Sequence, residues 1–368
     1  MDLIRRHLMR RLYYAVAVTC SVLVLSAATQ DHIPTGSSPI NQQHVTPLKY
    51  PIHLISGHVL LGFADGSTTE FRANSREHIS ILSPLSYFIT SGSGQLSGSL
   101  SRTVVASAHA HQVAVWPMVE AGFAPARTTA LLSHPAAQLK LLSAITKAVL
   151  RDHADGINLD FEDMIPADAS RLTAFTQKLA TALHKMGKGL SVDITPPSPD
   201  PNWGNVYDRS ALAKAADYTV LMSYDEHYGG DPLPGSVASL PWLRTSLRAT
   251  LKAGVPSAKL LLGIPFYTRD WFHANGTLTS TYISLMQEIA DESRQGAKVG
   301  WNAHAEQQML TFKEAGVWHT IWLENATSLR ERGAVTRQFG VAGAAIWQLE
   351  LGDSASLASV ISGITAAK

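Results

Sequence analysis

Two hydrophobic periods alternate along most of this chain. Short runs rich in Val, Ile, Leu and aromatic residues recur at His58–Phe63, Leu85–Ile89, Gln112–Val119, Gly156–Glu162, Leu190–Thr195, Tyr218–Tyr224, Leu260–Phe266 and Val341–Gln348. Runs of this length and composition predict strands buried on both faces of a parallel sheet. The second is started after Pro84, because proline would interrupt a central strand. Helical spacing fills the intervals. Pro135 to Leu150 places Leu139, Leu142, Ile145 and Val149 on one stripe, and Ala167 to Met186 places Leu172, Phe175, Leu179 and Leu183 on another, ending at Gly187. Leu240–Ala253, Ser328–Phe339 and Ala355–Ala366 complete the helices. Eight strands alternating with helices predict an α/β fold, a (β/α)8 TIM barrel. A doubly wound open sheet is the alternative, and no Gly-rich phosphate loop follows the first strand to favour it. The segment 268–327, after the seventh strand, is too long for one barrel helix. It holds the segments Tyr282–Glu292 and Gln307–Ala315 and a strand-like Trp318–Leu323, and predicts a small α+β insertion on the rim.

One strand breaks the apolar rule. In Gly156–Glu162, the two-residue period puts Ile157, Leu159 and Phe161 on one face and Asn158, Asp160 and Glu162 on the other. Folding alone gives no reason for two carboxylates and an amide on a strand of this kind. Residues two apart on a strand lie roughly 7 Å from each other, so the two carboxylates feel one another's charge. In a partly buried site one of them stays protonated near neutrality, which makes a general acid. An edge strand with a solvated polar face is the plain structural alternative.

Composition narrows the class. The formal net charge of +1 points to no nucleic-acid or anionic-membrane partner. The first 28 residues differ from the rest. Arg5, Arg6, Arg10 and Arg11 precede an apolar run, Leu12 to Leu25, and Ser26-Ala27-Ala28 supplies small residues for cleavage. Residues 1–28 therefore read as a secretory signal peptide, with an uncleaved N-terminal anchor as the alternative. Residues 29–50, rich in Pro, Ser, Gly, Gln and His, read as a linker to a folded domain over 51–368. The one cysteine, Cys20, lies in the leader, so an exported mature chain has no disulfide framework. The expected location is outside the cell or in its envelope, and a monomer is expected.

Catalytic groups of a barrel come from the carboxyl ends of its strands. Here the fourth ends Asp160-Phe161-Glu162, the sixth Met222-Ser223-Tyr224-Asp225 and the eighth Ile346-Trp347-Gln348. Carboxylates, a phenol and an indole around one mouth suit a sugar: the indole stacks on the apolar face of a pyranose and the polar groups read its substituents. Trp116 is either a further sugar platform or packing. His109-x-His111 precedes the third strand with no carboxylate in register, and reads as surface histidines rather than a metal site. No metal or other cofactor is expected. Asn275-Gly276-Thr277 and Asn325-Ala326-Thr327 are formal glycosylation sequons.

These motifs, in this order on these strands, resemble glycoside hydrolase family 18, which contains chitinases and endo-β-N-acetylglucosaminidases. The resemblance runs from about Val59 to the C-terminus. Within the family it points to spore cortex-lytic N-acetylglucosaminidases, through Gly-Ile-Asn-Leu-Asp-Phe-Glu, Ser223-Tyr224-Asp225-Glu226-His227, Ser239-Leu240-Pro241-Trp242, Leu262-Gly263-Ile264-Pro265-Phe266-Tyr267 and Ile321-Trp322-Leu323-Glu324-Asn325. Two departures set it apart from the chitinases: Asn158 stands where their motif has Asp, and Val115-Trp116-Pro117-Met118 replaces the Ser-x-Gly-Gly of their third strand.

The resemblance implies a retaining glycosidase acting on amino-sugar glycans such as peptidoglycan, spore cortex fragments or chitin oligomers. Glu162 is then the acid/base, and the nucleophile is the substrate's own 2-acetamido oxygen. Asp160 holds the acetamido N–H, Tyr224 orients its oxygen, Asn158, Met222 and Asp225 line the substrate, and Trp347 floors the −1 subsite. With Asn158 in place of Asp, one charge is expected to be missing from the carboxylate cluster. A chitinase-like lectin that binds amino sugars without cleaving them is the rival class, and a non-catalytic envelope scaffold a third.

Overall fold

The computed structural model describes residues 52–65 and 78–366. The expected signal peptide and linker lie outside the described residues. Fifteen strands and nine α-helices are formed over the described residues. The strands are β1 (Val59–Ala64), β2 (Ile81–Ser91), β3 (Gln95–Gly98), β4 (Ala114–Val115), β5 (Met118–Glu120), β6 (Gly156–Asp160), β7 (Gly189–Ile194), β8 (Tyr218–Leu221), β9 (Leu260–Pro265), β10 (Tyr267–Ala274), β11 (Thr277–Ser284), β12 (Lys298–Asn302), β13 (Gln307–Glu314), β14 (Val317–Trp322) and β15 (Gly343–Trp347). The helices are α1 (Arg102–Ala110), α2 (Pro125–Ser133), α3 (Pro135–Arg151), α4 (Ala169–Lys185), α5 (Arg209–Ala215), α6 (Leu240–Lys252), α7 (Leu285–Glu292), α8 (Ala326–Phe339) and α9 (Ser354–Thr365).

Parallel pairing runs β1-β15-β9-β8-β7-β6-β5-β2, and β2 returns to β1 through Leu61↔Ile81 to Ala64↔Pro84. This is a closed (β/α)8 barrel, as the alternation of strands and helices predicts. The strands read as continuous apolar runs because both their faces are covered. Leu60, Leu159, Leu190, Leu262 and Ile346 pack outward under the helices, while Val59, Leu61, Phe63, Ile81, Val220, Leu261 and Ala345 fill the interior.

Two strand expectations change, and one strand is added. The second strand begins at Ile81 and runs through Pro84. The third is broken into β4 and β5 around Trp116-Pro117, and its pairing with β2 stops at Leu82↔Val115 and resumes at Leu85↔Met118. Pro84 lies at that break, where the ladder makes no use of its missing N–H. A hairpin partner, β3, also pairs antiparallel with β2.

Of the two helical stripes, the one on α4 is as predicted: Leu172, Phe175, Leu179 and Leu183 are fully buried, and Gly187 follows in the left-handed region at φ 67°. On α3 the buried stripe is Ala137, Leu141, Ile145, Ala148 and Val149, and Leu139 is exposed. Residues 137, 141, 145 and 148 hold the i, i+4 and i, i+3 spacing that stacks side chains on one face; position 139 points away from it.

The segment after β9 forms a five-stranded antiparallel sheet in the order β11-β10-β14-β13-β12, with α7 on one side. Gln307–Glu314 is a strand of this sheet. Its buried side holds Ile283, Leu310, Phe312 and Ile321.

Trp116 is not a sugar platform. It is 1% exposed, and its indole lies against Gly156 and Gly189, the first residues of β6 and β7, and against the Tyr218 ring at the start of β8. It plugs the amino-terminal end of the barrel, opposite the mouth. A Cβ at Gly189 would sit 2.1 Å from the indole. Gly189→Ala is therefore expected to destabilise the fold by about 1–3 kcal/mol through overpacking. Chemical denaturation checks this; an unchanged midpoint would mean that the indole can move aside at no cost.

Candidate active site

The polar face of β6 opens into the barrel mouth. Asn158 and Asp160 lie on the strand and Glu162 two residues past Asp160; they are 0%, 4% and 5% exposed. In register, Asn158 is flanked by Met118 and Ser191, and Asp160 by Glu120. Their alternates go outward: Ile157, Leu159 and Phe161 belong to the core under the helices, where Phe161 meets Phe175 at 6.3 Å. The strand end is pinned by the Tyr207 hydroxyl, which donates to the Phe161 carbonyl at 2.7 Å. Burial, followed by the nearby Glu162 and Asp160, pushes that phenol well above its ordinary range, so it remains a donor.

The neighbouring strand contributes groups that motif reading missed. Both N–H bonds of the Asn158 amide are spent on β7, at 3.0 Å to Ser191 Oγ and 2.7 Å to Asp193 Oδ1. Asp193 is 2% exposed. Burial raises its carboxyl well above the usual carboxylate range; the Asn158 hydrogen bond opposes this and the charge of Glu162 adds to it. The position left neutral by Asn158 thus has a carboxyl beside it after all, carried by the next strand. A signal for it exists in the sequence. Leu190, Val192 and Ile194 alternate with Ser191 and Asp193 in the same two-residue period that marks β6. Glu120, the last residue of β5, is a third buried acid in this layer.

Aromatic side chains form the facing wall. Tyr224, just beyond β8, stacks with Trp347 at the end of β15 with centroids 6.3 Å apart, and meets Tyr267 edge-on at 6.2 Å. Trp347 rests on Phe63 at 5.2 Å, so its ring is backed by the barrel filling. Met222 is buried in the same cluster as Tyr224 and Tyr267. Tyr224 needs Gly263 behind it, because a Cβ there would lie 3.0 Å from the phenol ring and 2.4 Å from the Leu221 carbonyl. Asp225 adopts φ 60°, which turns the chain out of the strand, and its carboxylate accepts from the Tyr267 hydroxyl. Tyr267 in turn stacks on Tyr282 at 4.6 Å. Tyr267 appears in the sequence only as the tail of a strand motif; its place beside Asp225 comes from the insertion sheet folding back over the mouth.

The loop after Asp225 is anchored rather than loose. Glu226 accepts from the Ser239 backbone N–H at 2.6 Å and from its hydroxyl at 3.0 Å, and the Ser236 hydroxyl donates to Gln307 at 2.6 Å. His227 pairs with Asp231 at 3.2 Å. The histidines ahead of the third strand serve the fold: His109 lies 2.7 Å from Asp155, and His111 bonds the Ser107 carbonyl. Asn325 of the second sequon caps α8 through Thr327 and Ser328, so its side chain is engaged in the fold.

A barrel whose fourth strand delivers Asp160 and Glu162 to a mouth walled by Tyr224 and Trp347 is matched by one family model. Glycosyl hydrolases family 18 covers residues 99–352. The chain belongs to that family. Its barrel and strand-end motifs are of the chitinase-like kind. Among curated relatives, it is similar to the Uncharacterized glycosylase YvbX of Bacillus subtilis, 25% identical over 300 residues that cover 78% of this chain and 86% of the relative. It is also 25% identical to the Cortical fragment-lytic enzyme of Bacillus subtilis, over 60% of this chain and 52% of that one. The chain thus spans only about half the length of some of the curated relatives it matches. Among solved structures, the chitinase from Chromobacterium violaceum superposes with a TM-score of 0.76 at 26% identity, over 84% of this chain and all of the other. Among the described residues, no helix is long and apolar enough to cross a membrane.

Proposed function

We propose that this family 18 hydrolase is exported and cleaves β-1,4 bonds on the reducing side of N-acetylglucosamine units, with retention. The observation that carries the reading is the buried Asp160–Glu162 pair facing the Tyr224–Trp347 wall across one mouth. Glu162 gives its proton to the glycosidic oxygen as the C1–O bond breaks, and later takes one from water. The 2-acetamido oxygen attacks C1 from the opposite side, so no second carboxylate of the protein need act as nucleophile. Asp160 accepts from the acetamido N–H and offsets the positive charge of the cyclic intermediate. Tyr224 donates to the acetamido oxygen and holds it in line, which is a proximity effect. Trp347 underlies the sugar ring, with Asn158, Met222 and Asp225 around it. Peptidoglycan or spore cortex fragments are the preferred substrate, supported by the similarity to a cortical fragment-lytic enzyme, and chitin oligomers are second. Export rests on the basic-then-apolar leader of residues 1–28.

The test compares matched glycan oligomers with and without the N-acetyl group, together with purified cortex peptidoglycan. Hydrolysis of acetylated substrates, falling by about a hundredfold or more once the acetyl group is removed, is expected, because the nucleophile leaves with it. Equal rates on both would rule out the substrate-assisted route, and binding without any hydrolysis would turn the reading to a lectin.

A further inference from the structure

A buried acid with no part in the scheme above lies beside the proposed acid/base. Asp193 is the fifth residue of β7, and its side chain is inside the barrel at the level of Val220, with which it is paired. The β6–β7 ladder pairs Asn158 with Ser191 and Leu159 with Val192, so its next step sets Asp193 alongside Asp160. Glu120 is paired with Asp160 from the other side. Three neighbouring strands therefore carry one carboxyl each at a single level of the barrel, with Glu162 just above. The groups that face Asp193 are Asp160 at the end of β6, Glu162 just past it and the Tyr207 phenol from the connection after β7, while β8 opposes it with apolar Val220. Arg209, in the same connection, spends its guanidinium on the carbonyls of Thr195 and Gly204.

Packing does not explain an acid here. Elsewhere the same interior is filled by Val, Leu and Ala, and burying a carboxyl costs several kcal/mol unless it gives up its charge or is paired. It accepts a hydrogen bond from the Asn158 amide, which also donates to Ser191. We propose that Asp193 is a positioning residue of the hydrolytic site, fixing the Asn158 amide beneath Asp160 and sharing with Glu162 a proton that the pair cannot readily lose. This deepens the functional reading above and rests on it.

The mechanism is electrostatic. Two carboxylates in one dry pocket repel, so the pair releases its last proton at a higher pH than either acid would alone. At the working pH the pair holds one proton between Asp193 and Glu162, and it is this proton that the reaction uses. Glu162 passes its proton to the leaving oxygen and regains one from the attacking water, so the cluster ends as it began. The consequence is that Glu162 remains an acid further into the alkaline range than a lone carboxyl would.

Asp193→Asn keeps an acceptor for the Asn158 amide and removes the second ionisation. With the repulsion gone, the alkaline limb of kcat/KM is expected to fall by about one pH unit, a roughly tenfold loss on the alkaline side with little change on the acid side. Asp193→Ala should add a loss of kcat at all pH values, because the amide loses its partner. A limb that stays in place in Asp193→Asn, whatever happens to the melting temperature, would reduce Asp193 to a structural residue and overturn the proposal. A second readout needs no turnover. Infrared spectra of the substrate-free protein at neutral pH should contain the C=O band of a protonated buried carboxyl that vanishes in Asp193→Asn. If the wild type hydrolyses no amino-sugar glycan, the functional reading fails, and this band still decides whether Asp193 holds the proton: identical spectra for the two proteins overturn it.

Discussion

Glu162→Gln is expected to abolish hydrolysis while leaving the protein folded and able to bind glycan. A positioned general acid is worth about 10²–10⁴ in rate, and here the same side chain serves both halves of the reaction, so the loss should lie toward the upper end. Gln fits the same space and still donates a hydrogen bond, but it has no proton to give. Its effect on stability runs the other way. Glu162 sits 5% exposed among acids, and its charge is one of the causes that raise the Asp193 carboxyl. Removing that repulsion should leave the melting temperature unchanged or raise it, as is usual when a strained functional group is replaced. The measurement is kcat and KM on a chromogenic N-acetylglucosamine oligomer series alongside thermal unfolding. Substantial residual kcat with intact folding would mean that another group protonates the leaving oxygen.

Arg332→Met should produce the largest loss of stability, and the loss should depend on pH. Arg332 and Glu324 are both fully buried, 2.6 Å apart, where α8 meets the insertion sheet. The same guanidinium donates to the Ala238 and Ser328 carbonyls, so it ties the loop after Asp225 to α8. Glu324 also accepts from Gln307 at 2.9 Å, and its backbone N–H is held by Glu288 at 2.8 Å. Breaking a buried pair by removing one partner costs about 3–5 kcal/mol, because the remaining charge is stranded. Burial has already pushed Glu324 up to about 7, against the lowering effect of Arg332 and Gln307. A folded-state pKa raised above the unfolded value means that its stabilising contribution is present at low pH and lost as pH rises through about 7. Without Arg332 the pKa rises further, so near pH 5 Glu324 is neutral in both proteins and the pH-dependent part of the cost is small, whereas above about pH 7 the cost grows, because wild-type Glu324 ionises against Arg332 and the variant's cannot. Denaturation at both pH values checks this. An equal loss at the two would show that the pair contributes by packing alone, and Glu324→Gln in the Arg332→Met background should then recover nothing.

Much of this molecule was legible without coordinates, for a simple reason. Strands covered on both faces must be apolar throughout, and barrel helices must carry one apolar stripe, so period and composition give the (β/α)8 alternation directly. The polar interruption on β6 stood out against that background because three hydrophilic side chains on a buried strand cannot be justified by packing. Local pattern also located the strand ends that carry Tyr224 and Trp347. Where the sequence misled, neighbours decided. Pro84 is accepted within β2 because the adjacent strand is broken at the same level. Trp116 has the look of a sugar platform, yet the two glycines that begin β6 and β7 leave a space that its indole fills.

The sequence by itself determined the fold class, the family and the strand that brings Asp160 and Glu162 together, since each depends on residues close along the chain. Tertiary structure alone decided which acids share the pocket. Asp193 meets Asn158 across 35 residues and Tyr267 meets Asp225 across 42, and no local periodicity encodes the register of one strand against the next or the return of an insertion over the mouth.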